Sequence, residues 1–402
     1  MATPALPEGA GPARYTYRLR VSSAALALLE AEWSRCRWVW NECVARSRKA
    51  HREKDPEGCG PARLDRMLTE ARAGVVWLRE GASVPQQQTV RDFARSRAKA
   101  LKDIKAGLPV RQRAGLPKPK KKHEALPSLN YTVRGFRLKE GRLCLAGGIV
   151  LTVVWSRELA DRPSSVRVHR DSLGHWYASF VIPSRPEPLP ATGRVIGIDW
   201  GVRDIATTTS DDHDLPHSGY GRKAARDLAG YQRRMARRKP GKGQAPSKGY
   251  RNAKRQAARL HKKVARQRQD TARKWAKSVV RDHDEIAVED FRSTFLAGST
   301  LARKAADAAI GATKAALIEM SRKHVRTVHL IHPAHTTMDC AHCGARAKHA
   351  LPLGLRTYSC TACGTSSPRD KNSARVMLVR AGLAPAGVDG VGPGCSQRSR
   401  AA

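Results

Sequence analysis

The sequence predicts a multidomain α+β protein: a small N-terminal β-barrel interrupted by an inserted block of helices, then an α/β domain carrying an inserted zinc ribbon. Three observations predict it. β-Prone, alternating segments lie on both sides of a long helical region, at 15–21 and 130–182. The stretch Arg194–Thr209 (RVIGIDWGVRDIATTT) reads as a hairpin whose first strand ends in an acid, Asp199. Two Cys-x2-Cys pairs, Cys340/Cys343 and Cys360/Cys363, stand 16 residues apart, a spacing that suits one tetrahedral metal.

The elements follow in chain order. Residues 1–13 are rich in Pro, Gly and Ala and are expected to be disordered. Tyr15–Val21 (YTYRLRV) alternates as a strand does. From Ser22 or Ser23, either of which could cap it, a helix is expected to about Arg52, with Leu26, Leu29, Trp33, Trp40 and Val44 at helical spacing. Trp33, Trp38 and Trp40 are better explained as core than as base-stacking residues. Gly58–Pro61 interrupts the pattern, and helices are expected over 62–80 and 86–106. In Leu116–Lys122 (LPKPKKK) the prolines hold the chain extended and turn Lys118, Lys120, Lys121 and Lys122 to solvent, as a charged linker or as a phosphate-contacting arm. Within 130–182, Val166 and Val168 alternate with polar residues, Asp171–Gly174 makes a turn, and Trp176, Ala178, Phe180 and Ile182 line one face of the returning strand. Proline-rich SRPEPLPATG then reads as a domain boundary.

In the hairpin, alternation puts Val195, Gly197 and Asp199 on one face and Ile196, Ile198 and Trp200 on the other. The Asp199 carboxylate therefore lies beside a residue with no side chain, where something bulky can approach. A strand of this form suits a turn-capping acid, a phosphate-facing hairpin of an actin-like ATPase, or the first metal-binding carboxylate of an RNase H-like nuclease. Further on, Glu285–Phe291 (EIAVEDF) is a short strand with adjacent acids, of which only Glu289 or Asp290 can join Asp199. An alanine-rich helix is expected over 301–324, then a strand at Val325–Ile331. Asp370 falls in the first turn of a helix beginning in SSPRDKNSARVMLVR, where the helix dipole alone would favour an acid. The tail from Ala381 is Gly, Pro and Ser rich.

Composition restricts the partners. Lys and Arg number 75 against 35 Asp and Glu over 402 residues, a net charge of +40 that calls for a polyanion. Between Arg222 and Arg281 there are 22 Lys and Arg against Asp227 and Asp270 alone. Amphipathic helices there present Lys254, Arg255, Arg259, Lys262, Lys263 and Arg266 on an almost wholly cationic face, which favours phosphate binding over a merely solvated surface. Aromatics are 5% of residues, which favours gripping backbones over reading bases by stacking. No apolar run reaches membrane-spanning length and no secretory signal is evident, so a cytoplasmic protein is expected. With four of nine cysteines in the paired motifs, a reducing compartment and a structural Zn²⁺ on Cys340, Cys343, Cys360 and Cys363 are expected. Cys36, Cys43, Cys59, Cys144 and Cys395 show no ligand spacing.

Taken together, the motifs resemble those of TnpB proteins, the transposon-encoded RNA-guided DNA endonucleases, and of the compact type V CRISPR effectors. GIDWGV resembles the first RuvC motif, IAVEDF the second and SPRDKNSA the third, which implies catalytic, metal-binding carboxylates at Asp199, Glu289 and Asp370, with Asn372 accompanying the last. Pro368 and Ser373 depart from the usual third motif without removing the acid. HPAHTTMDCAHCG resembles the approach to the family's ribbon, with His335 where tyrosine is usual. CRWVWN (Cys36–Asn41) and LPKPKKK resemble the N-terminal half, so the likeness spans about 15–380. It implies a wedge barrel at 14–21 and 107–190, a helical recognition domain at 22–106, a RuvC nuclease domain at 191–335 and 366–382 and a zinc ribbon at 336–365, while composition leaves 383–402 as a disordered tail. It implies two catalytic Mg²⁺ beside the structural zinc, and a guide RNA and a target DNA as partners.

Two other readings compete. One is a nuclease-silent RNA-guided repressor of the same lineage, against which the three retained acids argue. The actin-like ATPase needs a second Gly-rich phosphate hairpin, which the sequence lacks, and it explains neither ribbon nor charge.

Overall fold

A computed structural model describes residues 12–55, 58–110, 112–122, 124–183, 186–241, 243–291, 299–352 and 354–383. The ends expected to be disordered lie outside these residues, apart from Pro12, Ala13 and Leu383. Pro12 and Ala13 are ordered, because they pair with Pro183 and Ile182 at the start of the first strand. The chain divides into two compact units, Ala10–Arg185 and a second built on Pro186–Ala402.

The first unit contains β1 (Pro12–Arg20), α1 (Ser23–Arg52), α2 (Pro61–Gly74), α3 (Val76–Arg79), α4 (Ser83–Lys105), β2 (Ser128–Thr132), β3 (Phe136–Lys139), β4 (Arg142–Leu145), β5 (Ile149–Val154), β6 (Ser165–Arg170) and β7 (Trp176–Pro183). Its strands form one antiparallel sheet in the order β2-β6-β7-β1-β5-β4-β3. The edge strands β2 and β3 are joined by the single 3-10 turn Val133–Gly135. So short a link spans only about 10–14 Å, so the sheet must curl until its edges approach one another. The alternating residues line its inside: Tyr17, Tyr131, Leu143, Leu151, Val166 and Phe180 are all buried in one core. Ser22 is the cap of α1, its hydroxyl accepting from the amide of Ala25 at 3.2 Å. The first half of α1 packs Leu29, Trp33 and Cys36 on the sheet core, and the second half builds another core with α2 and α4 around Val39, Leu64 and Phe93. The helix expected over 62–80 is broken at Val75, whose extended φ/ψ of −114°/102° separates α2 from α3.

The second unit contains β8 (Val195–Trp200), β9 (Asp204–Thr208), β10 (Leu215–Pro216), α5 (Tyr220–Arg237), α6 (Lys248–Asp282), β11 (Glu285–Glu289), α7 (Ala302–Ala308), α8 (Ile310–Lys323), β12 (Thr327–Ile331), β13 (Thr357–Ser359), β14 (Ser366–Pro368) and α9 (Arg369–Ala381). Its main sheet runs β10-β9-β8-β11-β12, with β8, β11 and β12 parallel. As the alternation requires, Ile196, Ile198 and Trp200 face Trp275, Val279 and Val280 of α6. On the other face Val195 and Ala287 meet Met377 and Leu378 of α9.

α6 runs unbroken for 35 residues through the polar stretch Gln267–Arg268, and the Arg268 side chain turns to Asp307 at 2.6 Å. The helix expected over 301–324 is two, because Ala309 adopts a left-handed φ of 52°. The break lets Asp307, at the end of α7, accept from the amides of Gly221 and Arg222 at the start of α5. Among the described residues no helix is long and apolar enough to cross a membrane.

Candidate functional site

Three carboxylates from distant parts of the chain meet at one end of the second unit's sheet. Asp199 is the penultimate residue of β8, and Glu289 ends the parallel neighbour β11. Since Val288 pairs with Ile198, one step further sets Glu289 beside Asp199. The indole of Trp200 fixes that strand end by donating to the Glu289 carbonyl at 3.1 Å.

Asp370 arrives from α9. That helix lies on β8 at Gly197, the glycine noted beside the acid; what approaches there is the helix backbone itself. The turn of helix from Ala374 back to Asp370 covers about 6 Å, close to the ~6.7 Å that β8 covers from Gly197 to Asp199. Contact at the glycine therefore carries the third acid over the first.

The electrostatics agree with this proximity. Burial pushes the Asp199 carboxyl well up, the charges of Glu289 and Asp370 push it further, and only Arg369 opposes. Burial raises Glu289 to about 7, against a hydrogen bond to its carboxyl from the Trp200 backbone amide and the Lys314 ammonium, with Asp290 adding to the rise. Asp370 is more exposed, its nearest cation being Arg356 at 3.8 Å. Asp290 turns aside: its amide donates to the Ile331 carbonyl and its carboxylate pairs with Lys314. Buried, mutually repelling hard oxygen donors of this kind are a fitting set for a divalent cation such as Mg²⁺.

Polar groups on α9 hold it in register. Lys371 donates to the Thr208 carbonyl at 2.9 Å and pairs with Asp211 and Asp214 at 2.5 and 2.8 Å. Buried Asn372 accepts from the Ala341 amide at 3.1 Å and donates to the Asp339 carbonyl at 2.8 Å, which ties the first cysteine knuckle to the helix carrying Asp370. Arg380 adds an ion pair to Asp339 at 2.5 Å.

The four cysteines converge as their spacing requires. Their sulfurs lie within 4.8 Å of one another, with Cys340 to Cys363 at 3.8 Å and Cys343 to Cys360 at 3.6 Å. Tetrahedral bonds of ~2.3 Å to one Zn²⁺ place sulfurs ~3.8 Å apart, so the set fits that ion with no ligand position left over. Gly344 and Gly364 take φ of 74° and 75° and close the two knuckles. Among the described residues no other group of three or more metal-ligating side chains has its ligand atoms all within 4.8 Å of one another, so the three carboxylates stand further apart than the thiols do.

The expected basic contacts divide. Lys254, Arg255, Arg259, Lys263 and Arg266 are exposed along α6 and Lys262 is partly so. Along the same helix Asp270 pairs with Lys274 at 2.8 Å and Arg268 with Asp307 at 2.6 Å. Lys118, Lys121 and Lys122 are exposed, but Lys120 corrects the expectation of an arm pointing into solvent. Its ammonium lies 3.7 Å from the Trp40 ring centroid and 5.2 Å from that of Trp33. The linker is docked, since its carbonyls can bond the indole and amide that α1 offers. Sequence reasoning missed Lys314 and the roles of Arg369 and Lys371. Lys371 and Arg369 sat in the third motif and could have been marked by their neighbour Asp370; Lys314, in an alanine-rich helix, carried no signal.

Residues 168–298 match the family model OrfB_IS605, described as "Probable transposase", and 311–377 match that of the "Cas12f1-like, TNB domain". A Streptomyces pristinaespiralis protein described as "Putative RNA-guided DNA endonuclease" is 29% identical over 324 residues, covering 79% of this chain and 76% of that one. Escherichia coli K12 InsQ, with the same description, is 27% identical over 364 residues, covering 85% and 86%. The fold resembles that of Cas12f1 in its complex with sgRNA and target DNA, at a TM-score of 0.54 and 11% identity over 92% of this chain and 98% of that one.

Proposed function

We propose that this TnpB-like chain is an RNA-guided DNA endonuclease, hydrolysing phosphodiester bonds of guide-matched DNA beside a short flanking motif at a RuvC-type, RNase H-like centre. The observation that carries the reading is the meeting of Asp199, Glu289 and Asp370, where burial raises the carboxyls of Asp199 and Glu289 and the charges of Glu289 and Asp370 raise Asp199 further. The relatives' descriptions support guided DNA cleavage as the activity. In this reading the curled seven-stranded sheet is the wedge barrel, 22–106 the recognition domain, 191–335 with 366–382 the nuclease domain and 336–365 the zinc ribbon.

Two bound Mg²⁺ would activate water and stabilise the leaving oxygen. The chain's own contribution is to hold the oxygen donors. Strand pairing fixes Asp199 beside Glu289, the Gly197 contact fixes Asp370 over Asp199, and Lys371 and Asn372 keep α9 from sliding. Arg369 and Lys314 temper the repulsion without cancelling it. The cationic face of α6 grips phosphates of guide RNA and DNA alike, leaving base identity to pairing with the guide. The tetrathiolate zinc, having no open position, acts as a brace behind Asp370.

A nuclease-silent repressor would gain nothing from keeping three acids in costly proximity. Asp199→Ala, Glu289→Ala and Asp370→Ala should each abolish cleavage by the purified RNA complex while leaving DNA binding largely intact. Wild-type cutting by the Asp370→Ala protein in magnesium would remove Asp370 from the centre.

A further inference from the structure

Within the first unit a groove of about 610 Å³ is walled by α1, α4 and the β2/β6 edge of the sheet. This is within the ~300–1,000 Å³ range of binding pockets. Its chemistry is one-sided. Along a single face of α4 it receives Asp92, Arg95 and Lys99; across from them stand Arg167 and Lys120; and the only acid, Asp92, is already engaged by Arg95 at 2.5 Å and Arg167 at 3.3 Å. Asp92 thus orients two guanidinium groups and, although its charge reaches Lys120, forms no ion pair with it.

Lys120 is held there deliberately. Asn41 accepts from its amide at 2.7 Å and donates to its carbonyl at 3.2 Å, and the Trp40 indole donates to the Lys118 carbonyl at 2.9 Å. The ammonium lies against the rings of Trp33 and Trp40, and among the described residues no carboxylate forms an ion pair with it. Burial pushes its pKa below the usual lysine value, and the charge of Asp92, itself paired with two guanidinium groups, offsets this only in part. An anion entering the groove finds that ammonium partly dehydrated, where attraction is stronger than at an open surface. Ser128 and Asn130 on β2 add uncharged hydrogen-bonding groups at the same rim.

We propose that this groove is a discrete phosphodiester-binding subsite for one nucleic-acid strand, with Lys120, Arg95 and Lys99 as its phosphate ligands and Trp33 and Trp40 as the apolar floor that keeps Lys120 poised. The inference rests on the nucleic-acid reading above and adds to it a built site in the N-terminal unit, set apart from the diffuse cationic face of α6. Phosphodiesters of the guide RNA and of the target DNA share this chemistry.

The test compares wild-type chain with Lys120→Met, Lys120→Arg and the double variant Arg95→Ala/Lys99→Ala. Fluorescence anisotropy with labelled single-stranded RNA, single-stranded DNA, an RNA–DNA hybrid and polyglutamate is measured across a salt series. Lys120→Met should bind the preferred strand about five- to tenfold more weakly, with a salt slope shallower by about one, and Lys120→Arg should regain most of the loss. The double variant, in which the lost Arg95 side chain is largely exposed, should flatten the slope by about two. The RNA and DNA arms identify the strand. Variants matching wild type in affinity and slope, while wild type still cuts guided DNA, would overturn the subsite and leave the proposed function standing. Polyglutamate binding as tight as the oligonucleotides, lost in the same variants, would instead make the groove a site for an acidic protein segment and overturn the proposal. Wild-type chain that bound no nucleic acid at all would contradict the underlying reading itself.

Discussion

A β-carbon added to Gly197 would stand 2.0 Å from the carbonyl oxygen of Ala374 and 3.0 Å from the Leu378 side chain. The nearer atom is backbone in the middle of α9, so it cannot swing away. Gly197→Ala should therefore lift α9 from β8 and carry Asp370 away from Asp199, even though all three acids remain. The expected cost is about 1–3 kcal/mol of stability, with loss of most cleavage. Denaturant melts and a cleavage assay check this, and a fully active Gly197→Ala protein would mean that α9 does not set the third acid's position.

The raised carboxyls make stability depend on pH in a set direction. Folding lifts Glu289 from an ordinary 4.5 to about 7, and Asp199 rises too, so the folded state holds protons that the unfolded chain releases. That contribution is complete below the ordinary carboxylate range and is lost as pH rises through about 7, at a cost on the order of 3 kcal/mol for Glu289. Without divalent cations the protein should melt higher at about pH 5 than at about pH 8 so far as this site decides. Asp199→Asn, which keeps the shape and removes a charge, should raise the melting temperature at the higher pH. Added Mg²⁺ should do the same for the wild type but not for the variant.

Asn372 offers a separate handle on the ribbon. Its amide is buried between the Ala341 amide and the Asp339 carbonyl, and its removal strands both. Asn372→Ala should cost about 1–3 kcal/mol and reduce cleavage, yet leave zinc content unchanged, because the thiolates are intact. Loss of zinc in that variant would show that the linkage to α9 is needed to hold the knuckle together.

The two metals should separate on chelation. Brief EDTA treatment should stop cleavage, and Mg²⁺ should restore it while about one zinc per chain survives, since four thiolates bind far more tightly than carboxylates and water. Cys340→Ser or Cys360→Ser should instead lose zinc and loosen Asp370. Elemental analysis of folded protein without zinc would contradict the ribbon assignment.

Much of this was legible because it depends on local pattern. Alternation gave Ile196, Ile198 and Trp200 one face and Val195, Gly197 and Asp199 the other, and the thiol spacing announced its own geometry. Asp290 could be set against Glu289 from strand periodicity, although only the sheet register decides which acid joins Asp199. What stayed hidden depends on partners distant in sequence. Lys120 looked like one lysine of a solvated run until the amide of Asn41 and the ring of Trp40 captured it. The break at Ala309 goes with the cap that Asp307 provides to α5, a contact across more than 80 residues that no helix propensity encodes.

The most direct measurement of the central claim is to sequence the RNA that co-purifies with the chain, replace its terminal guide segment and follow which DNA is cut. A surface built on cationic helices recognises phosphates and duplex shape, so base specificity beyond the flanking motif must come from pairing. The expected result is a discrete RNA, with cleavage moving to whatever DNA matches the new segment and vanishing in the Asp199→Ala protein. RNA-free protein that cut one fixed sequence, indifferent to the added guide, would contradict the account.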